Sequence, residues 1–186
     1  MANVAAVSDR ADVLTLVFAV DYWDRLGWKD TFSKPEWIAQ YAYARAMGHD
    51  GVYTPQVIVN GRVEGTGLDA NELVSLMRSA ARGDSGPSVG FAGGAVTVGA
   101  AAAPTGGADV RLVRYDRRLI EVTVKRGENA GKTLPHKNVV REMILLGHWR
   151  GEAAKFPLPA MEDPDLAEAA IVQTAGAGSV LAAARR

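Results

Sequence analysis

No cysteine occurs anywhere in the 186 residues. That absence excludes a disulfide staple, a thiolate nucleophile and a thiolate metal site, and it removes cysteine usage as a guide to redox compartment. An excess of one charge is lacking as well. Twenty-one basic and 21 acidic side chains cancel, so no global field draws in nucleic acid or an anionic membrane, and neither is expected as a partner. No stretch approaches the roughly 20 apolar residues of a membrane span. The first residues lack the basic region and apolar run of a signal peptide, so as written the chain reads as soluble and cytoplasmic. His49, His136 and His148 show no ligand spacing; each reads as structural, and no metal or other cofactor is expected.

What the sequence does contain is a front half patterned as α/β. Met1, Val4 and Val7 recur at helical spacing without an N-cap before them, like the end of a helix. Val13 to Val20 is a nearly continuous apolar, β-branched run, which predicts a strand covered on both faces. Ser33 and Glu36 form a capping box with Pro35 in the first turn, predicting a helix with Trp37, Ile38, Tyr41 and Ala42 on its apolar face and Gly48 as a left-handed stop. Val57-Ile58-Val59, Asn60-Gly61 and Arg62-Val63-Glu64 predict a tight hairpin with a type I′ turn. A helix from Asp69 to Arg82, burying Leu73, Leu76 and Met77, completes this half.

Gly83 to Ser88 then reads as a linker, dividing the chain into modules at 1–83 and 84–186. Strand signals dominate beyond it, at Ala95 to Gly99, Val110 to Tyr115, Leu119 to Arg126, Asn138 to Leu146, Ala153 to Phe156, Ala170 to Thr174 and Val180 to Ala184. Asn138 to Leu146 fits a helix equally well. Gly176-Ala177-Gly178 predicts a hairpin turn, and the whole half reads as an antiparallel, sandwich-like β-module.

Two segments carry candidate chemistry. Asp21, Tyr22, Trp23 and Asp24, with Trp28 shortly after, follow the first strand, where open α/β sheets gather ligands. Their rings and carboxylates suit a peptide or a small organic ligand, and packing beneath the following helix explains them equally well. Thr54-Pro55 opens the hairpin; spacing alone favours a trans proline guarding a strand entrance. Asp21 and Asp24 as an acid/base pair is a weaker reading, and no serine shows a base and orienter, so no catalytic residue is assigned. Arg111, Arg114, Arg117, Arg118, Lys125 and Arg126 read as a solvated hairpin face, and Gly131-Lys132-Thr133 lacks the spacing of a phosphate loop.

Asp21-Tyr22-Trp23-Asp24, Leu26-Gly27-Trp28-Lys29-Asp30, Val52-Tyr53-Thr54-Pro55-Gln56 and Asn60-Gly61-Arg62 together closely resemble the domain of unknown function 1223 family. Arg126 to Gly131, Asn138 to Glu142 and Leu146-Gly147 resemble its C-terminal extension. The resemblance implies exported bacterial relatives, periplasmic or secreted, with a thioredoxin-like domain and a β-rich extension. It implies that Thr54-Pro55 is a cis-proline loop and that a Cys-x-x-Cys helix lies upstream, with histidine in many relatives where Ala19 stands. By that comparison this chain is shortened at its front, an α+β protein with an incomplete thioredoxin-like layer. The exposed strand edges then imply pairing with another chain, a second copy included.

The leading functional expectation is therefore a thioredoxin-like protein without redox activity, binding a peptide or small ligand through Asp21, Tyr22, Trp23, Asp24, Trp28, Thr54 and Pro55. The alternatives are an interaction protein acting through its β-rich half and, for the longer relatives, a thiol-disulfide oxidoreductase.

Overall fold

A computed structural model describes residues 2–18, 39–83, 85–123 and 133–186. The front half carries helices α1 (Ala2–Val7), α2 (Ala39–Ala46) and α3 (Ala70–Ser79), with strands β1 (Val57–Val59) and β2 (Val63–Gly65) between the last two. The rest is antiparallel β: β3 (Val89–Ala92), β4 (Ala95–Val98), β5 (Ala108–Asp116), β6 (Ile120–Thr123), β7 (Thr133–His136), β8 (Val139–Trp149), β9 (Ala154–Pro157), β10 (Ala167–Thr174) and β11 (Val180–Arg185). The chain is thus a strand-rich α/β mixture. Its main sheet has the order β11-β10-β5-β8; a second has β3-β4-β9, and β1-β2 and β6-β7 form two-stranded pairs.

The main and three-stranded sheets share one core. Val110, Trp149, Ala170, Val172 and Ala182 from the first cluster with Val96, Val98 and Phe156 from the second. Alternation along β5 puts Val110, Leu112, Arg114 and Asp116 on this inner face and Asp109, Arg111, Val113 and Tyr115 on the other. Val113 and Tyr115 begin a second cluster with Val140, Ala167 and Ala169, against which Leu14 and Leu16 pack from the front half.

Several expectations are corrected. Among the described residues, residues 13–18 join a ladder at one point, a parallel bridge from Val17 to Val139. There Val17 N donates to Asn138 O at 2.9 Å and Val140 N to Val17 O at 3.0 Å. Leu14 and Leu16 of this run pack on the main sheet, and among the described residues the run makes no longer ladder. Residues 19–20 and the start of the helix expected from Ser33 lie outside the described residues. Tyr41, assigned to the buried face of that helix, is 43% exposed, and Ala44 is buried in its stead. Helix α3 ends three residues before Arg82, with only Leu73 fully buried and Leu76 and Met77 half-buried. Of the Asn138 to Leu146 segment, all from Val139 on is strand, within β8, and Asn138 takes a positive φ of 58° just before it. Strands β3 and β7 had no clear sequence signal: Gly90 interrupts the first and Pro135 the second. The Leu119 to Arg126 strand is described as far as Thr123.

The largest correction concerns Arg114, which is 2% exposed and not part of a solvated face. Its register partners are Glu168 on β10 and Glu142 on β8. Nε donates to Glu168 Oε1 at 3.0 Å, Nη1 to Glu142 Oε2 at 2.9 Å and Nη2 to Pro159 O at 2.6 Å. The other Glu168 oxygen accepts from Arg186, whose guanidinium lies 5.3 Å from the Phe91 ring centre. Each buried charge of this group is therefore partnered, the condition under which burial of ions is tolerated. Replacing Arg114 with Ala should cost about 3–5 kcal/mol in urea unfolding, because two carboxylates lose their common cation.

Asp116 is a second buried carboxylate, 2% exposed, accepting from Arg118 at 2.9 and 2.7 Å and from Arg141 at 3.2 Å. The hydrogen bonds from Arg118 hold its pKa well below the usual carboxylate value. A folded pKa below the unfolded one means that the stabilisation is complete above about pH 4 and fades as pH falls through and beneath that range. Asp116→Asn should therefore be less stable than the wild type at pH 6 and should lose less of its remaining stability between pH 6 and pH 3, read from urea midpoints.

Candidate functional site

The expected proline segment lies at the entrance to β1, and the Thr54–Pro55 peptide bond is cis, where spacing alone favoured trans. Asn60 and Gly61 both take positive φ, 52° and 63°, as the predicted turn demands, and Arg62 N donates to Val59 O at 3.0 Å. Yet Val59 pairs with Val63, so the connection holds three residues and the hairpin is one residue longer than a two-residue turn allows. That register opposes Ile58 to Glu64 and places Gln56 diagonally across from Glu64 on the same face.

Glu64 is the centre of a polar cluster beside Thr54. Its Oε1 accepts from His49 Nε2 at 2.5 Å and its Oε2 from the Gln56 amide. His49 reaches it because Gly48, at φ 77°, ends α2 and turns the chain, while His49 N still donates to Ala44 O at 2.8 Å. Tyr53 completes the group. Burial raises the pKa of its hydroxyl first, and the charge of Glu64, to which it is hydrogen-bonded, raises it further. Glu72 adds a more distant negative charge to the same ring.

Glu72 also fixes the hairpin to α3. Asp69 caps the helix, its carboxylate accepting from Glu72 N at 2.8 Å. The Glu72 side chain, which in a reciprocal capping box would turn back to the cap, reaches beyond it to Thr66, accepting from N at 3.1 Å and Oγ1 at 2.9 Å. At the opposite end the hairpin tip docks on the β10–β11 turn: Val180 N donates to Asn60 O at 2.9 Å, and a Cβ on Gly61 would stand 2.2 Å from Gly178 O.

Of the sequence-predicted site residues, Thr54 and Pro55 are therefore placed next to this cluster. Asp21, Tyr22, Trp23, Asp24 and Trp28 lie outside the described residues. Sequence reasoning missed Glu64, Gln56 and Tyr53 as a group, since their convergence follows from the three-residue turn. His49 and His148 each place a ring nitrogen within hydrogen-bonding distance of a carboxylate oxygen. Among the described residues no group of His, Asp and Glu could hold a metal ion. Chemically the cluster offers an anchored carboxylate, an amide and a phenol. Elsewhere an open depression of about 520 Å³, bounded by residues 101–107 and 150–151, contains none of the predicted site residues.

The family model described as a protein of unknown function (DUF1223) matches residues 1–173. The chain belongs to this family. It is also similar, at 30% identity and a TM-score of 0.78, to a structural-genomics crystal structure of a protein from Agrobacterium tumefaciens, covering 99% of this chain and 84% of that one. No curated protein matches the chain. Membership of the DUF1223 family names no reaction, so function has to be argued from the site.

A Gly61→Ala variant tests the docked hairpin. The added methyl meets a backbone carbonyl and forces a left-handed conformation on a residue with a side chain, so a loss of roughly 1–3 kcal/mol is expected in thermal or urea unfolding.

Proposed function

We propose that this chain binds an extended peptide or small polar ligand at the Tyr53 to Gln56 segment, without covalent chemistry. The observation that carries the reading is the convergence of His49, Gln56 and Tyr53 on Glu64 beside Thr54, on a hairpin whose strands pair only with each other among the described residues. An extended ligand gains main-chain hydrogen bonds by adding to such an edge, while neighbouring side chains select it. Tyr22, Trp23 and Trp28, with Asp21 and Asp24, supply stacking surface and acceptors to the same site in this reading. The front half, residues 1–83, is a thioredoxin-like layer whose proline loop lies at the binding rim, and residues 84–186 form the supporting β-module. Without a thiol in these 186 residues, the loop binds and does not exchange disulfides.

A second reading, an interaction protein working through its β-rich half, is favoured by the bonds that tie the halves together: Arg82 to Leu181 O at 3.2 Å and Lys137 to Asp9 at 2.5 Å. The two separate in one experiment. A panel of acetylated, amidated heptapeptides with a central aromatic residue is titrated into isotopically labelled protein. Binding should shift the amides of residues 53–57, and Trp23→Ala and Gln56→Ala should each weaken it at least tenfold with circular dichroism unchanged. Shifts confined to the β-rich half would support the second reading, and no saturable shift at residues 53–57 sinks the first. In an insulin-reduction assay the chain should not exceed buffer, and turnover above it would contradict a purely binding role.

A further inference from the structure

A second polar group lies on the outer face of the main sheet, at the junction with the front half. His148, Asp109 and Gln173 are consecutive register partners across β8, β5 and β10, a row roughly 10 Å long at the usual strand spacing. Asp109 and Gln173 are each 8% exposed, unusual for polar residues on the outer face of a sheet. Asp109 Oδ1 accepts from His148 Nδ1 at 2.8 Å and Oδ2 from Arg111 Nη2 at 2.7 Å. Gln173 Nε2 donates to Gly178 O at 2.8 Å and to the Tyr43 hydroxyl at 2.7 Å. The backbone carbonyl fixes which end of the amide is nitrogen.

These bonds leave complementary groups unused. Both hydrogens of the Gln173 amide are taken, so its buried Oε1 has no donor among the described residues. The Tyr43 oxygen accepts, and its own proton has no acceptor there. Burial raises the pKa of that hydroxyl, and Arg111 lies near enough for its charge to act against the rise. Arg111 uses one terminal nitrogen on Asp109, and its remaining N–H groups are unpaired among the described residues. Two side chains able to carry positive charge thus flank one carboxylate. Buried polar groups in folded proteins are nearly always satisfied, and a junction between two parts of a chain is where ligands are commonly held.

We infer that this row is a second binding site, for a small ligand carrying a carboxylate and an N–H group, such as an N-acylated amino acid or the C-terminal residue of a peptide. The carboxylate takes the Tyr43 proton and the free N–H groups of Arg111, and the ligand N–H gives Gln173 Oε1 its missing donor. His148, oriented by Asp109 and 63% exposed at its side chain, borders the opening. The site is separate from the Glu64 cluster, and neither proposal depends on the other.

The test uses N-acetylglycine as probe, titrated into the full chain and followed through the Gln173 side-chain amide and the His148 ring by NMR. Saturable shifts at both are expected, with N-acetylglycinamide binding at least tenfold more weakly. Tyr43→Phe and Arg111→Gln should each weaken N-acetylglycine at least fivefold, while Arg117→Gln, altering an exposed arginine outside the row, should not. If Tyr43→Phe lowers the melting temperature, Arg111→Gln carries the decision. Absent shifts, equal affinity for acid and amide, or unchanged affinity in Arg111→Gln would each overturn the site, and shifts confined to residues 53–57 would assign the probe to the hairpin cluster.

Discussion

The ion group around Arg114 is the constraint on which the main sheet depends. A guanidinium removed from water must be matched by charge and hydrogen bonds at short range, and here the matching groups come from the strand on either side, from a loop carbonyl and, through Glu168, from the last residue of the chain. Slipping β10 or β8 by one residue against β5 would turn Glu168 or Glu142 to the opposite face and leave a buried cation short of a partner. The row Glu142, Arg114, Glu168 therefore specifies register in a way that the surrounding alanines and valines, which tolerate repacking, do not. The same row closes one end of the core shared with the three-stranded sheet, where Arg186 covers Phe91.

From that fixed sheet the front half takes its position. Leu14 and Leu16 lie on the outer face, Thr15 Oγ1 accepts from Asn138 Nδ2 at 2.8 Å, and Arg185 Nη2 donates to Arg10 O at 3.1 Å. The hairpin tip rests on the β10–β11 turn, with a glycine on each side of the contact. One strand, β5, thus serves both sides of the molecule: its even-numbered residues build the core and the ion group, and its odd-numbered residues receive the front half. The polar row lies on this second face, and the Glu64 cluster belongs to the hairpin held against it.

What the hairpin site can do follows from what it contains. Carboxylate, amide and phenol are hydrogen-bonding groups; a thiol, which would add covalent exchange, is missing from the sequence. Family membership brings no reaction with it. The proposed recognition by hydrogen bonding along an extended segment asks for no group that the hairpin lacks.

Much of the fold was legible because it is written in local chemistry. Apolar and β-branched runs marked β4, β5 and the second half of β10; Asn60-Gly61 marked the β1–β2 turn, Gly176-Ala177-Gly178 the β10–β11 turn, and Gly48 and Asp69 the helix ends, since backbone conformation and capping depend on neighbouring residues alone. Thr54-Pro55 was singled out in the same way. The partners of each charge were not legible: Arg114 lies in a basic run that reads as solvated, and its carboxylates stand 28 and 54 residues away. Gln56 and Glu64 meet only because the turn has three residues, and residues 13–18 read as a strand although a strand also requires a neighbour along its length. The sequence by itself determined which segments extend, coil and turn, and the absence of a thiol. Tertiary structure alone decided which polar groups are buried together, because that depends on register between strands distant in the chain.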